Sequence, residues 1–525
     1  MTAEPRALTL HGLLARGAAR FPGRPAVVAP GRPPISFAEL EEQSRSIAGW
    51  LDGCSDVGDR VAIVGDNSPA YVQAYYGVPR GRRVLGLVNQ RLNPDEQLTV
   101  ISRIRPRVLL GDARYVEALA GVRDRIPSLE TVVVFESARW LDVTSGHGEP
   151  GQVAREDDPA WLLFTSGSTG VPKGVVHTHR SLSVAVWGTV EGRRVTDSGA
   201  YLFPFPMCHV AGYNVLVRHA VGSTVVPTSR FRADEFVDLV QRYGVTACSL
   251  APTMLHALLG HLEETGQEMP TLREIGYGSA AISTDLINRA SARLAVGFHQ
   301  GYGMTETGGN VTFLGPDDHR AGAAGRPEIL RTAGMPHSAV EIGVADSEGA
   351  LLDPGATGEI VVRGEQVMTG YWEDDAATTR TIADGWLRTG DIGFVDESGR
   401  LHVVDRSKDI IITGGENVSS REVEDAISTH PDVDMVAVVG VPDDYWGEAI
   451  CAVVVPRAGS HPSPEAITAH ARQQISSFKR PRHVLFVEDL PMTSNGKVAK
   501  DQVRILAAEV ADSSGERRRS ERPVR

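Results

Sequence analysis

Between residues 36 and 111, short apolar runs alternate with stretches that start and repeat like helices, and this alternation restricts the fold more than any other feature of the chain. Ser36 and Glu39 have the spacing of a capping box, and Phe37, Leu40, Ile47 and Leu51 then recur on one helical face. The run RVAIVG at 60–65 reads as a buried strand, Ser68-Pro69 as a helix start, 84–88 as a strand, Asn93-Pro94 as another helix start and 108–111 as a strand. Strands separated by helices need crossover connections, which gives parallel sheet and an α/β layered core. At 525 residues the chain is too long for one hydrophobic core.

From about Ala339 the texture changes to short strand-like runs broken by Gly and Asp, among them GEIVVRG and GRLHVVD, as in a β-rich subdomain. After Asp405-Arg406-Ser407-Lys408 a fresh alternation begins: IIIT, a helix from about Ser420, MVAVVGV, CAVVVP, a helix from about Pro464, and HVLFVEDLP. The expected fold class is therefore α/β, a large N-terminal domain of parallel α/β sheets plus a β-rich subdomain, followed by a small α/β domain. The expected boundaries are 1–405, a junction at 406–408, and 409–510. The stretch 511–525, ADSSGERRRSERPVR, is too poor in apolar residues to bury and is expected to be disordered.

A formal net charge of −13 argues against a nucleic-acid or anionic-membrane partner, since no overall basic field gathers polyanions. Cys54, Cys208, Cys248 and Cys451 stand singly, without CxxC pairs, as reduced thiols of a cytoplasmic protein would. No leader-like apolar segment follows the N-terminus and no run is long enough to span a bilayer. Of the 53 basic residues only five are lysines: Lys173, Lys408, Lys479, Lys497 and Lys500. In a chain that otherwise writes positive charge as Arg, a retained Lys is either a chance surface survivor or a place where a compact ammonium serves and a planar guanidinium does not.

The first of these lies in Thr165-Ser166-Gly167-Ser168-Thr169-Gly170-Val171-Pro172-Lys173-Gly174, which follows the apolar WLLF of 161–164. Small residues let backbone amides approach phosphate oxygens, hydroxyls add donors and Lys173 adds charge, so the segment suits a polyphosphate cradle. It is not a Walker loop, because Pro172 precedes the Lys and Gly174 follows it.

This loop resembles the signature of the adenylate-forming superfamily, which contains acyl-CoA synthetases, luciferases and nonribosomal peptide adenylation domains. Further segments follow in that family's order. They are Pro206-Met207-Cys208-His209-Val210-Ala211-Gly212, Gln300-Gly301-Tyr302-Gly303-Met304-Thr305-Glu306, Gly358-Glu359 with Gly370-Tyr371-Trp372, Trp386-Leu387-Arg388-Thr389-Gly390-Asp391, Asp405-Arg406-Ser407-Lys408-Asp409 with Gly414-Gly415-Glu416-Asn417, and Pro491-Met492-Thr493-Ser494-Asn495-Gly496-Lys497. The resemblance spans about residues 10 to 505.

It implies roles residue by residue. Tyr302 offers a flat face for adenine, Thr305 a donor to the α-phosphate, and Glu306 an oxygen for Mg²⁺. Asp391 would accept from both ribose hydroxyls and Arg406 would add a contact to sugar or phosphate. Gly278, Ser279 and Ala280, in the IGYGSAA stretch, would form a wall beside the nucleotide, as would Gln300, Gly301, Gly303 and Met304. His209 would line the acyl pocket or gate the thiol, and Cys208, where the family often has an aromatic residue, would leave that pocket roomier. Lys497 would place a cation where a carboxylate attacks the α-phosphorus. Lys408 is at the family's hinge, about which the C-terminal domain rotates to bring Gly414 and Gly415 to the thiol tunnel.

The resemblance thus implies an ATP-dependent acid:thiol ligase, with ATP, Mg²⁺ and coenzyme A as cofactors and a small-molecule carboxylic acid as substrate. Three other acceptors or substrates stay open within the same superfamily: a carrier-protein thiol, an amine giving an amide, or nitrite activated for N–N bond formation. A homo-oligomer is compatible with the sequence, and a noncatalytic ligand sensor is opposed by intact Lys497, Glu306 and Asp391.

Overall fold

A computed structural model describes residues 6–119, 125–165, 172–196, 199–278, 284–443, 445–493 and 497–508. Two large sheets and the helices packed on them build the N-terminal part. In the first, the strands Pro159–Thr165, Val84–Leu87, Arg60–Val64, Val108–Gly111 and Thr131–Val134 run parallel, and Lys173–Thr178 and Gly370–Tyr371 extend the Pro159–Thr165 edge antiparallel. The expected alternation is realised, and both expected caps at Ser36 and Asn93 form capping boxes. In the second sheet Gly297–Met304, Glu274–Gly278, Val245–Leu250, Ala200–Phe203, Thr224–Pro227 and Pro25–Val27 run parallel, with antiparallel strands at both edges.

One apolar core joins the two sheets, through Val61 and Ile63 of the first, Tyr201 and Phe203 of the second, and the buried helices Pro69–Arg80 and His179–Gly192. The β-rich part expected from about Ala339 is a wholly antiparallel sheet: Val340–Ala345, Gly358–Gly364, Trp386–Val395 and Ile382–Ala383, with Leu401–Arg406 on the Trp386–Val395 strand. Beyond it, Glu416–Ser419, Ile410–Thr413, Gly447–Pro456 and Val433–Asp443 form a further sheet, joined by His483–Phe486. Its faces carry two apolar clusters made solely of residues from Ile411 onward, so this segment has a core of its own. Among the described residues no helix is long and apolar enough to cross a membrane. The expected tail at 511–525 lies outside the described residues.

Where the two parts meet, one carboxylate bridges them. Asp405, at the end of Leu401–Arg406, accepts with Oδ2 from the Ser420 amide at 2.7 Å, the Ser420 hydroxyl at 2.7 Å and the Ser419 hydroxyl at 3.2 Å. These are the first residues of the helix Ser420–Ser428, whose N-terminal amides and dipole favour an anion. Arg421 adds a bond to the Val403 carbonyl at 3.2 Å.

Candidate active site

The phosphate-cradle segment leaves and re-enters the first sheet as neighbours: Thr165 ends one strand, Lys173 begins the next, and the two are paired in register. Ser166, Gly167, Ser168, Thr169 and Gly170 lie between them, outside the described residues, as do Ser279 and Ala280. The Lys173 ammonium stands 4.9 Å from the centre of the Tyr371 ring, a cation–π distance. The Tyr371 hydroxyl in turn donates to Glu306 Oε1 at 2.9 Å.

Glu306 and Thr305 sit in the 3₁₀ turn Thr305–Thr307 at the end of Gly297–Met304. His177 fixes this turn by donating to the Thr305 carbonyl at 2.7 Å. Glu306 is buried, and burial pushes its carboxyl up, opposed by the hydrogen bond from Tyr371 and the charges of Arg406 and Lys173. A carboxylate so desolvated is stabilised by a cation placed against it. Among the described residues no group of three or more His, Cys, Asp or Glu could hold a metal ion. Glu306 fits a single-carboxylate site for an ion that takes its remaining ligands from phosphate and water, as Mg²⁺ does.

A cavity of about 180 Å³ is lined by Gln300, Tyr302, Asp391, Arg406, Arg421 and Lys497, among others. Motif residues from four separate stretches of chain, at 300–303, 391, 405–406 and 497, thus line one cavity. The detail differs from expectation at Tyr302 and Asp391. The Tyr302 hydroxyl donates to Asp391 Oδ2 at 2.7 Å, and Arg406 Nε lies 3.2 Å from Asp391 Oδ1. Both carboxylate oxygens already have a protein partner, so a ribose would share them rather than hold them alone. The Tyr302 ring packs against two small apolar clusters, one of Val311, Val340 and Val362 and one of Ala333, Ile360 and Leu401, which holds it at the cavity wall.

Lys497 reaches this cavity from the C-terminal part. Thr493 holds its backbone: the Thr493 amide donates to the Lys497 carbonyl at 2.7 Å and the Thr493 hydroxyl accepts from the Lys497 amide at 3.1 Å. Burial and the nearby Arg406 lower its ammonium to about 8, against the opposing pull of Asp391. Burial pushes the Asp391 carboxyl up, and Arg406 is the largest opposing influence.

A second cavity, of about 70 Å³, adjoins the first along the strand Gly297–Met304, since Gly301 and Gly303 line both. The strand can be shared because it carries no side chain there. A Cβ on Gly303 would come within 2.2 Å of the Gly309 carbonyl oxygen, and one on Gly278 within 2.5 Å of the Gly301 oxygen. Val210, Ala211 and Gly278 also line this second cavity, so the Pro206–Gly212 segment forms part of its wall. His209 itself is half-buried at the start of the 3₁₀ turn Val210–Gly212 and is not among the lining residues.

Cys208 does not enlarge this cavity. Its Sγ donates to Gln90 Oε1 at 3.4 Å, it is fully packed in the main core, and burial pushes its thiol up to about 12. The Pro206–Gly212 chain turns so that Cys208 faces the core and Val210 and Ala211 face the cavity. Gly415 and Gly414 form the two-residue turn between Ile410–Thr413 and Glu416–Ser419, with φ of 84° and 61°. Gly415 is exposed and lines neither cavity in this arrangement. Lys408, also exposed, lies 3.7 Å from Asp501, and its carbonyl accepts from Arg504 at 3.1 Å.

Several cavity residues were not foreseen. Arg331 and Arg421 line the larger cavity, and Arg193, Asn214, Ser249 and His299 the smaller. None lies in a recognisable string, and the pair Arg193-Arg194 reads in sequence as an ordinary basic helix end.

Comparison with known proteins identifies the family. Residues 14–372 match the family model described as AMP-binding enzyme, and 422–497 the model for the AMP-binding enzyme C-terminal domain. A fatty acid–[acyl-carrier-protein] ligase of Streptomyces coeruleorubidus is 34% identical, over 95% of this chain and 97% of its own. A feruloyl-CoA synthase of Amycolatopsis is 34% identical, over 93% and 96%. Among solved structures, the amide bond synthetase McbA of Marinactinospora thermotolerans superposes with a TM-score of 0.86 at 32% identity, covering 95% of this chain and 99% of its own. The chain belongs to the AMP-binding enzyme family of adenylate-forming ligases.

Proposed function

We propose that the protein is an acyl-CoA synthetase: it joins a small-molecule carboxylic acid to AMP, releasing pyrophosphate, and passes the acyl group to the thiol of coenzyme A. The observation that carries this reading is the Lys497 side chain in a cavity that also holds Asp391 and Arg406 and meets a second cavity at Gly301 and Gly303. A carboxylate in the smaller cavity would attack the α-phosphorus of ATP in the larger. The new bond is carboxylate oxygen to phosphorus, the bond to pyrophosphate breaks, and the Lys497 ammonium stabilises the charge gathering between them. Asp391, Tyr302 and Arg406 orient the sugar. Mg²⁺, if held by Glu306, would neutralise phosphate charge.

Residues 1–405 act as the platform in this account, 406–408 as the hinge and 409–510 as the moving part. The Asp405 carboxylate bound to Ser419 and Ser420 keeps the helix Ser420–Ser428 registered to the platform while Lys497 is in place. Rotation would withdraw Lys497 and bring the exposed Gly414-Gly415 turn to the acyl cavity for thiol transfer. The test is product analysis by mass spectrometry with ATP, a panel of acids and CoA, each omitted in turn, and with an amine, nitrite or a carrier protein in place of CoA. Acyl-CoA formed with AMP and pyrophosphate supports the reading. Acid-dependent AMP release with product only from an amine or carrier protein transfers the second half to that acceptor, and AMP release driven by nitrite without an acid replaces the first.

A further inference from the structure

Among the described residues, the buried cation of the smaller cavity has no counter-ion. Arg193, immediately after the helix His179–Gly192, is 4% exposed, and its guanidinium lines the cavity. Of its five donors, Nη1 makes one long contact, 3.5 Å to Asn214 Oδ1, while Nε and Nη2 are buried with no hydrogen-bond partner. Among the described residues no carboxylate forms an ion pair with it. Arg218 beside it is equally buried but has its own partner, Glu274 at 3.1 Å.

The sheet is shaped to accept this group. Ser249, Gly276 and His299 lie side by side in register across three parallel strands. Gly276 leaves the space in which the guanidinium rests, since a Cβ there would come within 2.5 Å of Arg193 Nη2 and 2.9 Å of Ser249 Oγ. His299 Nδ1 is likewise buried without a partner. Its imidazole is neutral, held down to about 3 by burial first and then by Arg193. A buried charge left unpaired is costly, and a ligand that completes it gains what the protein alone forgoes.

Resting on the proposed acid activation, we infer that the substrate is a compact acid carrying a second anionic group, a dicarboxylic acid in its simplest form, with one carboxylate at Gly301 and Gly303 for activation and the other bound by Arg193. Asn214 and His299 complete the distal site as neutral hydrogen-bonding groups. An acid bearing an amino cation at that end would be rejected, because it would stand against an unneutralised guanidinium.

Two readouts test this separately from the adenylation chemistry. Binding is measured by calorimetry without ATP for the dicarboxylates from succinate to octanedioate and the three benzenedicarboxylates, each against its monocarboxylate of the same skeleton, with 4-aminobutanoate as the cationic control. At least one dicarboxylate is expected to bind ten-fold or more tightly than its monocarboxylate, and 4-aminobutanoate more weakly than butanoate. Arg193→Met should abolish that difference and Arg193→Lys should keep most of it, with melting temperature checking that each variant is folded. Monocarboxylates binding as well as or better than every dicarboxylate overturns the inference, as does a preference that survives Arg193→Met. Acid-dependent pyrophosphate release by the unaltered protein is followed on the same panel. Binding preference without pyrophosphate release would count against the adenylation reading alone, and release with no preference against the inference alone.

Discussion

The Tyr302 hydroxyl donates to Asp391 Oδ2 at 2.7 Å, which ties the strand that separates the two cavities to the strand carrying the carboxylate we propose binds ribose. Tyr302→Phe removes one hydrogen bond to a charged group, a loss of about 1.5–3 kcal/mol before water compensates. It is expected to raise the KM for ATP several-fold with a smaller effect on turnover. Asp391→Ala removes the proposed ribose contacts as well and should raise it further. ATP titrations in an acid-dependent pyrophosphate exchange assay separate the two, and equal, small effects would place the nucleotide elsewhere.

Lys497→Ala should lower acid-dependent pyrophosphate exchange by about 100-fold or more, the scale for removing a preorganised charge from a transition state. A supplied acyl-adenylate should still be converted to thioester at near the original rate. Equal loss in both half-reactions would mean that Lys497 is structural.

The lowered Lys497 ammonium gives a pH signature. The group is charged below about 8 and neutral above, so pyrophosphate exchange at low ATP should fall as pH rises through that value. Lys497→Arg should move this limb out of the measurable range. For stability the sign is opposite: the folded state binds the proton less tightly than the unfolded chain, so this residue's contribution to stability rises with pH from about 8 to the ordinary Lys value of 10.5.

The Gly414-Gly415 turn and Lys408 should affect the second half-reaction alone. Gly415 has a positive φ and open space around it, so Gly415→Asn, a residue that tolerates this conformation, adds bulk with little strain. It should leave pyrophosphate exchange intact and slow thioester formation from a supplied adenylate. Lys408→Pro fixes φ near −65° and should do the same by limiting rotation. Normal thiol transfer in both variants would refute the rotating-domain account.

The sequence discloses the larger cavity, proposed for the nucleotide, far better than the smaller one, proposed for the acid. Gln300 to Glu306, Asp391, Arg406 and Lys497 stand in contiguous strings, and a string keeps its meaning when the chain folds. Arg193, Asn214, Ser249 and His299 come from a helix end, a neighbouring helix and two strands, and only helix packing and strand register together bring them to one place. The same limit applies to Asp405, whose neighbours in sequence suggest a hinge while its oxygen caps a helix 15 residues on. Cys208 shows the opposite error, because a position in a motif fixes the place of the backbone and not which way the side chain turns.

The most direct test of carboxylate attack at the α-phosphorus uses an acid labelled with ¹⁸O in its carboxylate, incubated with ATP and CoA, with mass spectrometry of the nucleotide and phosphate products. One ¹⁸O is expected in AMP and none in pyrophosphate. Label in orthophosphate, released together with ADP, would place the attack on the γ-phosphorus and contradict attack at the α-phosphorus.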